Sequence, residues 1–204
     1  PIIQPPVMRL MTTRKERLTR MEYAAKPVSK RALIIFPIVV VIVVSLVAPS
    51  AAPLIATLML GNLLREAGVV DRLNKSAQNE IINVATLFLG LTIGATMTAA
   101  KFLQVETLMI LALGLLAFVI DTVAGLLFGK LMYVISRGKI NPLIGACGIS
   151  AFPMAARLSA KMASDEDYDN FILMHAMGAN TAGQLGSVVA GGLLLVLVAV
   201  FGGV

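Results

Sequence analysis

Six apolar runs separated by polar or charged stretches organise the chain: residues 33–48, 54–64, 81–97, 107–128, 141–156 and 171–201. The first is rich in Val and Ile and, at about 1.5 Å per residue, covers roughly 24 Å, so it needs its flanks to span hydrocarbon. Ala48-Pro49-Ser50-Ala51-Ala52-Pro53 breaks it, and a short second run follows. A polar loop over 65–80 leads into the third run, which holds Gly90 and Gly94. The fourth is the cleanest, long enough to cross with tilt and interrupted only by Asp121. The last two are irregular. Residues 141–156 carry two prolines and two glycines. Residues 171–201 would make a helix of about 46 Å, too long for one span, and Gly178-Ala179-Asn180-Thr181-Ala182-Gly183 predicts a break inside it. The pattern predicts an all-α integral membrane protein, a polytopic helical bundle with broken or re-entrant helices. Its membrane domain covers 33–204, behind a basic segment over 1–32 that holds a short interfacial helix and a loop at Lys26-Pro27.

Composition supports a bilayer as the solvent. The chain is 58% hydrophobic and 14% charged, with a mean hydropathy of +0.89, whereas soluble domains carry about a quarter charged residues. The net charge of +6 is not a nucleic-acid signal. Eight Lys or Arg lie within 9–31, and a basic block beside an apolar span reads as a cytoplasmic flank facing anionic headgroups. If all six runs cross, the side holding 1–32, 65–80 and 129–140 carries fourteen Lys or Arg. The opposite side then has Lys101, Arg157 and Lys161 with the acidic run Asp165, Glu166, Asp167 and Asp169, an asymmetry that obeys the positive-inside rule. A re-entrant 141 segment would change that parity. The single cysteine, Cys147, excludes an internal disulfide and a cysteine-based metal cluster. The chain opens on Pro1, which reads as a fragment of a longer polypeptide.

Broken helices survive in hydrocarbon only where protein or a water-filled cavity satisfies the freed backbone. Two of them point to an ion or substrate site near the midplane, a device of repeat-built transporters. A small hard cation such as sodium prefers oxygen. The candidate ligands are the side chains of Asn141, Ser150, Asn180 and Thr181 and carbonyls freed at Gly145, Gly148 and Gly178. Asn141 also suits a helix N-cap before Pro142, and both roles are compatible. Ser187 either joins the site or bonds its own helix. Arg157 either snorkels to headgroups or orients a carboxylate and repels the cation toward exit. Asp121 is the one carboxylate in a clear span, a second-tier candidate that is functional, neutral or paired near Lys130. His175 and Cys147 read as packed residues, and Gly125, Gly191 and Gly192 as helix contacts. No nucleophile–base pair, phosphate-binding loop or clustered metal-ligand pattern is present.

The stretches Asn141–Arg157 (NPLIGACGISAFPMAAR) and 170–183 (NFILMHAMGANTAG) resemble the C-terminal motifs of the beta subunit of sodium-translocating, biotin-dependent decarboxylases. These enzymes act on oxaloacetate, methylmalonyl-CoA or glutaconyl-CoA. The opening IIQPPVMRLMTT, GNLLREAGVVDRL and FLGLTIGATM are similar too. The resemblance implies a membrane subunit that takes carboxybiotin from a carrier protein or domain, releases CO2, consumes a proton and moves Na+ outward. It also implies a soluble carboxyltransferase subunit, a small single-span membrane subunit and the cytoplasmic membrane of a bacterium or archaeon, with self-association left open. Carried over by motif, Asn141, Gly145, Ser150, Arg157 and Asn180 match family positions implicated in ion binding and coupling, with Ser187 beside them. Na+ would rest on Asn141, Ser150 and Asn180, and Arg157 would act in catalysis. Many relatives have proline in place of Ala179. The family's intramembrane aspartate and the other half of its inverted repeat would lie upstream of Pro1. Two rivals remain from sequence: a sodium-coupled secondary carboxylate transporter without biotin chemistry, and a passive membrane anchor, which has no need of polar breaks.

Overall fold

The computed structural model describes residues 2–22, 28–98 and 102–201, and among them all regular structure is helical. Helix α1 (Gln4–Met11) has prolines in its first turn, where the missing N–H costs nothing. The short α2 (Arg14–Arg17) is held by a capping box: Thr13 Oγ1 accepts from the Glu16 N–H, and Glu16 Oε2 accepts from the Thr13 N–H at 2.6 Å. Helix α3 (Lys30–Val47) is capped by Ser29 and carries Pro37 inside it. A 3-10 turn (Pro49–Ala51) reverses the chain into α4 (Ala52–Ala67). Helix α5 (Asp71–Thr96) contains a π-helical turn at Ala77–Ile81. Helix α6 (Val105–Ile135), a 3-10 helix (Pro142–Cys147), α7 (Met154–Glu166) and α8 (Leu173–Phe201) complete the order. The helices α3, α5, α6 and α8 are long and apolar enough to cross a membrane. The chain is an all-α, multi-pass membrane protein.

Two compact units partition the chain. The unit over Lys26–Leu111 and Val189–Val204 is built on the α3–α4 hairpin. Its turn rests on the end of α8: Ser50 Oγ donates to Gly192 O at 3.0 Å, and a Cβ on Gly192 would come within 2.6 Å of the Ala51 Cβ. The polar loop expected over 65–80 is largely helical instead. Gly68, at φ 68°, ends α4, and α5 starts three residues later. Polar side chains support that helix along its own axis, with Gln78 Nε2 donating to Asn74 Oδ1 at 2.8 Å and Asn79 Nδ2 to Lys75 O at 2.7 Å.

The other unit, Pro1–Ala25 with Ala112–Val188, holds the residues singled out above. Its core joins Met8, Leu126, Leu143, Ala146, Met162 and Ile172. The 3-10 helix lies backbone to backbone on α6, because a Cβ on Gly145 would collide with Gly125 O and one on Gly129 with Pro142 O. Both ends of the segment that follows α6 return to one place: the Asn141 and Asn170 amides donate to the same carbonyl, Arg17 O, at 3.0 and 2.9 Å. The segment is therefore re-entrant, the alternative under which the parity of the later segments changes. Arg17 Nη2 lies 2.7 Å from Glu166, Arg14 Nε 3.2 Å from the same carboxylate, and Arg20 Nε 2.7 Å from Asp167. The basic segment and the acidic run share one side. A second correction concerns the break expected at Gly178–Gly183, since α8 runs unbroken through it. No proline interrupts it, and Thr181 Oγ1 bonds back to Met177 O at 2.9 Å. The expected loop at Lys26-Pro27 lies outside the described residues.

The ion pairs have a pH signature. The hydrogen bond from Arg17 holds the Glu166 carboxyl below its ordinary value of 4.5, and the one from Arg20 holds Asp167 below 3.8. Because both folded-state values are depressed, their stabilisation is complete above the ordinary carboxylate range and is lost as pH falls through the lowered values beneath it. Hydrogen exchange over residues 12–20, corrected for intrinsic rates, should stay protected down to about pH 5 and rise steeply below about pH 4. Pair-independent protection would show as a flat profile.

Candidate functional site

The break between the 3-10 helix and α7 spans Gly148–Pro153. In hydrocarbon each freed carbonyl needs a donor, and side chains from three elements supply them. Leu143 O accepts from Ser159 Oγ at 3.2 Å, Ala146 O from Gln4 Nε2 at 3.1 Å, and Ile149 O from Asn180 Nδ2 at 2.7 Å. Ser150 O accepts from the Phe152 N–H at 2.8 Å.

Asn180 is fully buried. Its nitrogen is committed to Ile149 O, which fixes the amide's orientation and leaves Oδ1 buried without a hydrogen-bond partner. An orphaned buried amide oxygen is rare and marks strain, a missing water or an ion. One turn further along α8, Gly183 meets the same break: a Cβ there would lie 2.7 Å from Gly148 O and from Ile149 N. Asn180 and Gly183 thus dock α8 on the break as a pair. Ser187, seven residues beyond Asn180, shares that helical face and is exposed.

The other expected residues sort differently. Ser150 is exposed and adjoins Ile149, so it belongs to this neighbourhood. Thr181 is exposed about 100° around the helix from Asn180, its hydroxyl bonded to Met177 O. Gly178 is exposed, and a Cβ added there would meet nothing within 4 Å, whereas Gly145 is a packing glycine against α6. Asn141 caps the far end of the 3-10 helix: its Oδ1 accepts from the Leu143 N–H at 3.0 Å, and its amide donates to Arg17 O and Thr19 O. Six residues of 3-10 helix, about 12 Å, separate it from the break along the chain, and Asn141 and Asn180 share no hydrogen-bond partner among the described residues. Arg157 is exposed on the first turn of α7. Asp121 is exposed on α6 and joins no ion pair among the described residues. No cluster of three His, Cys, Asp or Glu side chains occurs among those residues.

Sequence reasoning missed Gln4, Ser159 and Asn170. Gln4 reaches across 142 positions to Ala146 O, and no local pattern announces such a partner.

A family model described as the Na+-transporting oxaloacetate decarboxylase beta subunit matches residues 1–198. The chain is 54% identical over 195 residues to the oxaloacetate decarboxylase beta chain of Klebsiella pneumoniae, covering 96% of this chain and 45% of that one. It is 55% identical over 197 residues to the methylmalonyl-CoA decarboxylase subunit beta of Propionigenium modestum, covering 97% and 50%. The corresponding protein of Veillonella parvula is 51% identical over 197 residues, covering 97% and 52%. The chain spans about half the length of these relatives. Membership rests on nearly its whole length: the chain belongs to the beta-subunit family of Na+-transporting oxaloacetate decarboxylases.

Proposed function

We propose that this chain forms part of the membrane subunit of a primary sodium pump, which couples decarboxylation of carboxybiotin to outward movement of Na+ with consumption of a proton. The observation that carries the reading is the buried, unpartnered Oδ1 of Asn180 at a break in a membrane-spanning bundle. Sodium is the cargo, and Asn180 Oδ1 is its first ligand, with the Ser150 hydroxyl and break carbonyls beside it. Asn141 fixes where the 3-10 helix ahead of the break begins rather than touching the ion. Ser187 lines the same face of α8. Thr181 and Gly178 stand outside this reading, and Gly145 serves packing. A carboxylate that balances the ion's charge comes from the part of the family's length this chain does not span.

One amide then has two functions. Its nitrogen holds Ile149 O at 2.7 Å while its oxygen meets the ion, so a change in ion occupancy is transmitted to the break through a single planar group. That is the differential contact a two-state coupling requires. Arg157, one turn past the break, orients the carboxylate of the carboxybiotin, and Asp121 waits on α6 as a second polar position within the span. Moving one charge against 100 mV costs about 2.3 kcal/mol, a load that decarboxylation can drive.

The partners are a soluble carboxyltransferase subunit, a biotin carrier and a small single-span membrane subunit, in the cytoplasmic membrane of a bacterium or archaeon. Residues 9–31 face the cytoplasm on this reading, which the pairing of Arg17 and Arg20 with Glu166 and Asp167 extends to the acidic run at 165–169. A sodium-coupled carboxylate symporter is not favoured by the relatives' names. The full-length complex in proteoliposomes separates the two: a pump shows sodium-stimulated decarboxylation and sodium uptake that avidin abolishes. Sodium uptake driven by a carboxylate gradient and indifferent to avidin would establish the symporter.

A further inference from the structure

The end of α2 leaves Arg17 O without an intrahelical donor, as the last carbonyls of any helix are. Here that carbonyl collects two side-chain amides from opposite ends of the re-entrant segment, Asn141 at 3.0 Å and Asn170 at 2.9 Å. Both side chains are buried, at 0% and 1% exposure. The carbonyl is itself held from behind. The Arg17 guanidinium is bonded to Glu166, the residue that ends α7, and to Thr12 O, while Thr12 Oγ1 returns to Met8 O at 2.6 Å. Asn170 is anchored through its own N–H to Asp167 O at 2.9 Å. Its Oδ1 has no hydrogen-bond partner, so Arg17 O alone aims the amide.

We propose that Asn170 and Arg17 are positioning residues for the sodium site, forming with Asn141 a lock that fixes both ends of the re-entrant segment and so sets where the Gly148–Pro153 break stands against Asn180. The inference rests on the sodium-binding reading of Asn180 and goes beyond it, because neither residue touches the break. With the ends pinned, the 3-10 helix and α7 can shift only as one body, and the Ile149 carbonyl meets the Asn180 amide at a fixed place. With an end released, the break samples positions in which that contact is not made, and the competent fraction falls. The apparent ion affinity then falls by the same factor, while the rate at saturating sodium is unchanged.

The test uses the full-length complex in proteoliposomes, reading decarboxylation against sodium concentration. Asn170→Ala should raise the half-saturating sodium about tenfold, the change one ordinary hydrogen bond gives, with the maximal rate within about twofold of wild type on the same reasoning. Asn170→Ser, which keeps a donor, should recover part of the shift. Should Asn170→Ala fail to assemble, Arg17→Lys reads the same displacement, since it loosens the carbonyl without deleting it. An unchanged half-saturation in the assembled variants, or a lower maximal rate without a shift, overturns the lock. Asn180→Ala in the same preparation keeps the two ideas apart. If it removes sodium dependence while Asn170→Ala and Arg17→Lys shift nothing, the lock falls and the site stands. A wild-type complex that sodium does not stimulate overturns both.

Discussion

Asn180→Ala is expected to abolish sodium-dependent turnover at ordinary sodium concentrations. On the proposed reading the substitution removes an ion ligand, and it also leaves Ile149 O, at the break, without its donor. Each loss is on the order of 1.5 kcal/mol or more, so together they weaken the site by roughly two orders of magnitude. Asn180→Asp separates the contributions. It keeps an oxygen toward the ion but presents no N–H to Ile149 O, so sodium binding should persist while coupling to decarboxylation is lost. Equal loss of binding in both variants would place the whole effect in the break rather than in ligation.

The second large effect belongs to the glycines. Gly145→Val and Gly183→Val are each expected to prevent assembly of a stable subunit. The atoms a Cβ would meet are backbone: Gly125 O and C for Gly145, and Gly148 O and Ile149 N for Gly183. Backbone does not rotate away as a side chain does, so the cost exceeds the usual 1–3 kcal/mol of overpacking, against a total stability of about 5–15 kcal/mol. Gly178→Ala is the internal control. Its position is open, and the melting temperature in detergent should not fall. A Gly178→Ala variant as unstable as the other two would show that the close approaches do not organise this unit.

Sequence legibility followed the range of the forces. The spans at α3 and α6 were readable because length and apolar content act locally. The irregular stretch over 141–156 was readable because Pro142, Gly145, Gly148 and Pro153 cannot propagate an α-helix together. The same reasoning failed at Gly178–Gly183, because a glycine that thins a helix for close approach looks like one that unwinds it. Only the contact of Gly183 with Gly148 distinguishes them. The polar stretch at 71–80 was misread as loop because its support is side chain to side chain along the helix. The side of the acidic run was open in the sequence because parity depends on whether the 141 segment crosses or turns back. At the site, Asn180 and Ser150 were legible as oxygen carriers beside a break. Asn141 was legible as a cap, and its Oδ1 accepts from the Leu143 N–H as a cap does. Gln4, Ser159 and Asn170 were not legible, since their roles exist only once distant segments meet.

Binding of radiolabelled sodium to the purified full-length complex, measured for the wild type and for Asn180→Ala before any turnover, tests the ion site most directly. Saturable binding in the wild type that drops by about a hundredfold in affinity in the variant is the expected result. Binding of equal strength in the two proteins would contradict the assignment of Asn180 as an ion ligand and, with it, the pump mechanism built on the break.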